Sequence, residues 1–164
     1  MSDNFLIEKA KISDIEEFIN IMFTKDNKIE YSKKFREITE PQIKEDLSFV
    51  CKINNKIVGF TVLTKKENDE ILIYTVFVDE NHRRKGVATK LIQHSMNNAR
   101  KIYKKAYFTL HVIVTNEKAI NLYKKIGFKL TKTIPDFYLW IIPEGQERDK
   151  DKNYDGYEME YHFD

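Results

Sequence analysis

The sequence predicts an α/β fold in which short strands and helices follow one another along 164 residues. Two observations carry this prediction. The runs Ile71–Val78 and Tyr107–Val114 are almost wholly apolar, as expected of buried strands, and each precedes an amphipathic helical pattern. The dipeptide Asn54-Asn55 separates two further strand-like segments, which is typical of a hairpin. A chain of this length is expected to form a single domain, residues 1–164.

The order of elements follows from local signals along the chain. After a first strand at Phe5–Ala10, the capping box Ser13-x-x-Glu16 predicts the start of a helix. A second helix is predicted over Pro41–Leu47, with Thr39 as its cap and Pro41 in its first turn. The other predicted elements are strands Phe49–Ile53, Lys56–Thr64, Phe128–Thr133 and Gly156–Phe163, a helix after residue 86, helix Glu117–Lys125 and the polar loop Pro135–Asn153.

Charge is unevenly divided along the chain. Residues 83–132 hold 13 lysines and arginines against the single acid Glu117, whereas the other residues hold 15 against 25 acids. A ligand with several phosphates would be attracted to the basic segment. A ribosome or RNA contact is the rival explanation, although the sequence contains no RNP aromatic motif and no GXXG loop.

Several classes of protein are disfavoured by the composition. The sequence has no apolar stretch long enough to span a bilayer and no secretory leader, so we expect a cytoplasmic protein without membrane contact. Its one cysteine, Cys51, excludes an internal disulfide and is expected to pack as a small hydrophobe. We predict no metal site.

A basic turn with one glycine joins the strand Ile71–Val78 to the next helix. It reads Arg83-Arg84-Lys85-Gly86-Val87-Ala88. Main-chain N–H groups and the positive end of the helix dipole converge at such a turn, and small residues allow phosphate oxygens to approach. The spacing is neither G-x-G-x-x-G nor that of a P-loop. This turn is therefore predicted to bind a pyrophosphate.

A second motif follows the strand Tyr107–Val114. Its fixed positions read Asn116-x-x-Ala119-x-x-Leu122-Tyr123-x-x-x-Gly127-Phe128. Together the two motifs resemble R/Q-x-x-G-x-G/A and N-x-x-A-x-x-L-Y-x-x-x-G-F of the GCN5-related N-acetyltransferase (GNAT) family. The resemblance covers roughly residues 5–163, with its specific part in residues 71–128.

The resemblance implies a fold and an acyl donor. The GNAT fold is a mixed, mostly antiparallel sheet of six to seven strands with about four helices, and its strands four and five splay apart to admit acetyl-CoA. The main-chain N–H of Val78 is then the expected oxyanion donor. The residues implied in acetyl-CoA binding are Val76, Phe77, Val78, Arg83, Arg84, Lys85, Gly86, Val87, Ala88, Thr89, Asn116 and Tyr123.

The resemblance also implies a direct transfer of the acetyl group to an amine, with Tyr123 as the acid for the leaving thiolate. His111 sits in a strand sequence resembling that of the Naa50/RimI-type protein N-α-acetyltransferases, in which the equivalent histidine relays the amine proton through a water. An imidazole with a pKa of about 6.5 is well matched to an α-amine, whose pKa is about 7.7–8.0. A lysine amine has a pKa of about 10.4, so only about one part in a thousand of it is neutral at physiological pH.

The acceptor side matches that subgroup only in part. Phe137 and Tyr138 stand where the subgroup has a Tyr-Tyr pair that clamps the substrate backbone, and Phe23 matches the first residue of its Phe-Pro-Val segment. The tyrosine that partners the histidine is replaced by Leu72. Tyr74, two positions along the same predicted face, is a candidate to compensate or to line the acceptor pocket.

Four activities remain open on the sequence alone. The first is acetylation of protein N-termini, with a ribosome-associated auxiliary subunit as a possible partner. The second is acetylation of a small amine such as a polyamine or aminoglycoside, which the acidic residues outside 83–132 would attract. Lysine acetylation is a third, and acyl-CoA binding without turnover is a fourth.

Overall fold

The computed structural model describes residues 4–23, 28–142 and 145–163. They divide into two compact units, Met1–Ala106 and Tyr107–Asp164. Seven strands and four α-helices occur in these described ranges, which agrees with the predicted numbers.

The first unit contains an antiparallel meander of four strands. Its strands are β1 (Leu6–Lys9), β2 (Phe49–Ile53), β3 (Lys56–Lys65) and β4 (Glu70–Val78), and its helices are α1 (Ile15–Met22), α2 (Lys28–Ile43) and α3 (Val87–Ile102). Each strand pairs with the next in antiparallel register. The Asn54-Asn55 turn has positive φ at both residues, as the predicted hairpin requires.

Alternation along the strands divides the core of this unit into two clusters. Val50 and Phe60 pack with the α1 residue Phe18, and the Phe18 and Phe60 rings stack with centroids 4.0 Å apart. Phe49 and Cys51 belong instead to the cluster that includes α3. Since neighbouring strand residues point to opposite faces, the two clusters lie on opposite faces of the meander. Cys51 is buried, as predicted.

The predicted helix over Pro41–Leu47 is wrong in its position. Helix α2 ends at Ile43, so Pro41 lies near its end and Thr39 is a fully buried interior residue rather than a cap. Tyr31 and Phe35 lie one helical turn apart and are half-buried, so they mark the face of α2 that packs against the core. The polar residues between them, Ser32, Lys33 and Lys34, conceal this apolar spacing in the sequence.

The predicted capping box at the first helix is also wrong. A short 3₁₀ turn, Ile12–Asp14, precedes α1. The carboxylate of Asp14, rather than that of Glu16, accepts a hydrogen bond of 2.8 Å from the main-chain N–H of Lys11. Glu16 instead forms an ion pair with Arg36 of α2.

The second unit contains three antiparallel strands and one helix. They are β5 (Tyr107–Ile113), α4 (Glu117–Ile126), β6 (Lys129–Ile134) and β7 (Gly156–Tyr161), and β7 lies between β5 and β6. Phe108, Leu110 and Met159 are buried in its core. The loop after β6 contains a 3₁₀ turn at Leu139–Ile141.

Candidate active site

The predicted phosphate turn is open toward solvent. Gly86 adopts the left-handed conformation, with φ +80 and ψ 9, directly before the 16-residue helix α3. A Cβ at Gly86 would meet no atom within 4 Å. The glycine is therefore required by the backbone conformation, and the space beside it is free for phosphate oxygens at a helix N-terminus. The geometry fits the phosphates of acetyl-CoA.

The Arg83 side chain braces the turn against the end of β4. Its Nε–H donates a hydrogen bond of 2.9 Å to the main-chain carbonyl of Val78. Its guanidinium lies over the Phe77 ring, 5.6 Å from the centroid. These two contacts link the turn to the end of β4.

A short 3₁₀ turn, Glu80–His82, connects β4 to the phosphate turn. The Nδ1 atom of His82 lies 2.8 Å from the Asp79 carboxylate, and both side chains are half-buried. The Asp79 N–H in turn donates to the main-chain carbonyl of Val58 at 2.8 Å. These contacts fix the path of the chain from strand to turn.

The first turn of α3 is packed tightly against β3. Val87 is buried in the cluster with Val78, so only its main chain can contact a ligand, while Ala88 and Thr89 are half-buried. A Cβ at Gly59 would lie 3.0 Å from the Phe77 carbonyl oxygen and 3.1 Å from Val87. Gly59 thus permits this close approach. Sequence analysis missed it because an isolated strand glycine carries no sign of its neighbour.

Two predicted acceptor residues, Phe23 and Tyr74, belong to the first unit. Phe23 follows α1 and its ring packs against those of Tyr31 and Phe35, at centroid distances of 6.1 and 5.6 Å. It therefore has a core-packing role as well. Tyr31 escaped the sequence analysis because its helix was not predicted.

Tyr74 lies at an irregularity in the pairing of β3 with β4. The register pairs Val62 with Thr75 and Leu63 with Ile73, so Tyr74 lies in a β-bulge. Tyr74 is 44% exposed, and partial burial raises the pKa of its phenol.

In the second unit, His111 has two defined neighbours. Its Nε2 atom lies 3.2 Å from Oε2 of Glu158, its cross-strand partner on β7. The Phe137 ring stacks on the imidazole, with centroids 4.6 Å apart and planes inclined by 26°. Sequence analysis missed Glu158, because the pairing of β5 with β7 cannot be read from either strand alone.

Two further predicted residues of this unit, Tyr138 and Tyr123, lie near the stacked pair His111 and Phe137. Tyr138 packs edge-on against Phe137 at 5.1 Å. Burial raises the pKa of Tyr138 to about 12, with a further contribution from the nearby Tyr123 phenol. Burial alone raises the pKa of Tyr123 to about 12. The structure thus places the predicted Phe137-Tyr138 pair beside His111, and Tyr138 lies near Tyr123.

Asn116, which the resemblance implies in acetyl-CoA binding, caps α4. Its Oδ1 accepts a hydrogen bond of 3.2 Å from the Ala119 N–H. The same helix ends at Gly127, whose φ of +122 and N–H bond to the Tyr123 carbonyl form the C-terminal turn. The second sequence motif therefore marks both ends of the helix that carries Tyr123.

Within residues 4–23, 28–142 and 145–163, no helix is long and apolar enough to cross a membrane. No group of three or more His, Cys, Asp or Glu side chains there is arranged to hold a metal ion.

Comparison with known proteins identifies the family. The model of the acetyltransferase (GNAT) family matches residues 12–128. An N-alpha-acetyltransferase of Sulfurisphaera tokodaii is 28% identical over 82% of this chain and 86% of that protein. The ribosomal-protein-S18-alanine N-acetyltransferase from Escherichia coli has a TM-score of 0.76 at 20% identity, over 97% of this chain and 94% of that one.

A further solved structure, Arabidopsis thaliana Naa50 in complex with the bisubstrate analogue CoA-Ac-MVNAL, has a TM-score of 0.75 at 22% identity. The match covers 99% of this chain and 100% of that one. These likenesses confirm the predicted fold. Because the family model covers well over half of the residues, the chain belongs to the acetyltransferase (GNAT) family and is an acetyltransferase.

Proposed function

We propose that this chain is an acetyl-CoA-dependent N-acetyltransferase whose acceptor is the α-amine of protein N-termini. The observation that carries the proposal is the cluster in the second unit, where His111 and Phe137 stack at 4.6 Å beside Tyr138 and Tyr123. It supplies a candidate base, a candidate hydrogen-bond donor to the leaving sulfur and aromatic surfaces for an acceptor. The Sulfurisphaera tokodaii relative is named for this activity.

The turn at Gly86 is proposed to hold the phosphates of the donor. In this proposal the main-chain N–H groups of the first turn of α3 bind the phosphates, as at other anion-binding helix N-termini, and the space beside Gly86 is open to them. Arg83 maintains this conformation through the Val78 carbonyl. Arg84 and Lys85 add positive charge that attracts the anion.

In this proposal Phe137 and Tyr138 of the second unit contact the backbone of the incoming peptide. Phe23 and Tyr74 of the first unit are proposed, separately, as residues that contact the acceptor. The Arabidopsis thaliana Naa50 complex contains a peptide-like analogue, which supports an acceptor of this kind. The partial exposure of Tyr74 is consistent with contact to a ligand.

In the reaction, His111 accepts the proton that the amine loses as its nitrogen bonds to the acetyl carbon. The carbon–sulfur bond then breaks and the thiolate leaves. An α-amine is the favoured nucleophile because a useful fraction of it is neutral near pH 7, unlike a lysine amine. A general base of this kind contributes about 10²–10⁴-fold to the rate.

Tyr123 donates a hydrogen bond to the leaving sulfur. Its phenol has a pKa of about 12 and stays protonated at physiological pH. Complete transfer of its proton to a thiolate, whose conjugate acid has a pKa of about 8.5, would be strongly uphill. We therefore assign Tyr123 to stabilisation of the developing negative charge, and the proton that the sulfur finally gains comes from solvent.

A thiol-release assay with acetyl-CoA tests the proposal. The acceptors are peptides with Met-Leu and Met-Lys N-termini, the same peptides with a blocked α-amine, and spermidine. We expect turnover on the free peptides that disappears when the α-amine is blocked. Turnover that survives the block would indicate lysine acetylation, and turnover on spermidine alone would indicate a small-molecule enzyme.

Two further expectations extend the proposal. An enzyme of this kind would act in the cytoplasm, where N-termini emerge from ribosomes. It would also be a candidate to bind an auxiliary subunit that docks it there. Co-purification of the tagged chain with ribosomes, with and without a high-salt wash, tests both.

A further inference from the structure

We propose that Glu158 is a positioning residue that fixes the tautomer and orientation of His111, so that Nδ1 is the nitrogen that accepts the proton. This inference rests on the proposed function. It starts from the cross-strand pair of β5 and β7, in which Nε2 of His111 lies 3.2 Å from Oε2 of Glu158.

The chemistry of the pair determines the tautomer. An ionised carboxylate can only accept hydrogen bonds, so the proton between the two residues belongs to Nε2 of the imidazole. In a neutral imidazole with Nε2–H, Nδ1 carries the free lone pair. The contact with Glu158 thereby selects which nitrogen is available as a base.

The surroundings of the pair restrict its motion. The His111 and Glu158 side chains are only 22% and 27% exposed. Phe137 covers one face of the imidazole, with ring centroids 4.6 Å apart. On the other side of β7, the register places Lys132 of β6 opposite Glu158. Glu158 is further fixed by its main-chain carbonyl, which accepts a hydrogen bond from the Thr131 hydroxyl.

This arrangement bears on the replacement at Leu72. In the resemblance described above, the position of Leu72 holds a tyrosine that partners the histidine. Leucine has no polar side-chain atom and cannot take that role. Glu158 provides His111 with a partner from within its own unit, and we infer that it maintains the histidine in a productive orientation in this chain.

The chain contains a matched control on the same strand. Two residues after Glu158, Glu160 accepts from His162 through the same atoms, Nε2 and Oε2, at 2.8 Å. His162 is 61% exposed and stacks on Tyr107, away from the Phe137 cluster. Glu160→Ala therefore removes the same type of contact without disturbing His111.

The test combines histidine NMR with steady-state kinetics on the full chain. In ¹⁵N-labelled protein, long-range ¹H–¹⁵N spectra distinguish the tautomers of the four histidines, and the spectrum of His111→Asn assigns residue 111. We expect a pyridine-type Nδ1 in the wild type and in Glu158→Gln, whose amide oxygen still accepts. Glu158→Ala should give a mixture of tautomers at His111. Glu160→Ala should give a mixture of tautomers at His162 and leave the tautomer of His111 unchanged.

For a Met-Leu peptide, Glu158→Ala should lower kcat and kcat/KM together by about tenfold or more, within the total of about 10²–10⁴ expected of a general base. The KM for acetyl-CoA should not change. Glu158→Gln should recover most of the activity, and Glu160→Ala should match the wild type. If Glu158→Ala fails to fold, Glu158→Met provides similar volume without an acceptor atom.

An unchanged His111 tautomer in Glu158→Ala, or an activity equal to that of the wild type, would overturn the proposal. The NMR measurement needs no turnover. A wild-type enzyme that acetylates some other amine would therefore refute the proposed acceptor, while the tautomer of His111 would still decide the role of Glu158.

Discussion

Gly156 lies directly against Phe137. A Cβ at position 156 would approach the Phe137 Cβ to 3.0 Å and the Tyr138 ring to 3.1 Å. The absence of a side chain at the start of β7 thus allows the aromatic pair to pack beside His111.

Replacing Gly156 with alanine should displace this aromatic pair. We expect a loss of stability of about 1–3 kcal/mol from overpacking, and a lower kcat/KM for peptide with little change in acetyl-CoA binding. Gly59→Ala is a matched control with the same crowding, 3.0–3.1 Å, but beneath α3. It should weaken acetyl-CoA binding instead. Indistinguishable kinetic profiles for the two variants would contradict these assignments.

Gly86→Val should weaken acetyl-CoA binding at least tenfold, which corresponds to about 1.4 kcal/mol. The new side chain would project into the open space of the phosphate turn and would disfavour the left-handed backbone. Gly145 has nearly the same φ, +81 against +80, and equally open surroundings. Gly145→Val controls for backbone strain. Calorimetric titration with CoA compares the two, and equal affinities would refute the phosphate-binding role of Gly86.

Tyr123→Phe should lower kcat about 10²–10³-fold while the KM for acetyl-CoA stays within a few fold, because the hydroxyl acts on charge that develops in the transition state. Tyr161→Phe is a suitable control. Both tyrosine rings pack near Phe128, at centroid distances of 6.1 and 5.5 Å. A similar loss in both variants would indicate that Tyr123 has only a packing role.

Alkaline pH should destabilise the protein through its buried phenols. Tyr123 and Tyr138 have folded pKa values of about 12, above the ordinary value of 10.0. Above pH 10 the unfolded chain releases these protons more readily than the folded chain, so stability falls as the pH rises from 10 through 12. Denaturant unfolding across this range should show a smaller decline in Tyr123→Phe than in the wild type. An equal decline would contradict the assignment.

The strands with unbroken apolar runs could be predicted from the sequence nearly to the residue. The prediction Ile71–Val78 differs from β4 by one residue, because its run of apolar residues is nearly continuous. The helix α2 could not be located, because Tyr31 and Phe35 are separated by charged residues and Pro41 resembled a helix start. The bulge at Tyr74 and the pairing of His111 with Glu158 depend on register, which a single strand does not specify.

The motifs of the site could be predicted from the sequence more readily than its contacts. The residue types and positions of Gly86 and Asn116 are informative, because a left-handed turn and a helix cap each favour few residues. The hydrogen bond from the Arg83 Nε–H to the Val78 carbonyl is a contact that the motif does not indicate.

The hydrogen bond between Arg83 and the Val78 carbonyl bears on how acetyl-CoA binding responds to salt and to substitutions in the turn. If main-chain N–H groups hold the phosphates, the short-range contacts persist when salt screens the surrounding lysines and arginines. Added salt should then slow association more than it hastens dissociation. The exposed side chains of the turn should be freely exchangeable among relatives, while its backbone conformation and the glycine at position 86 are retained.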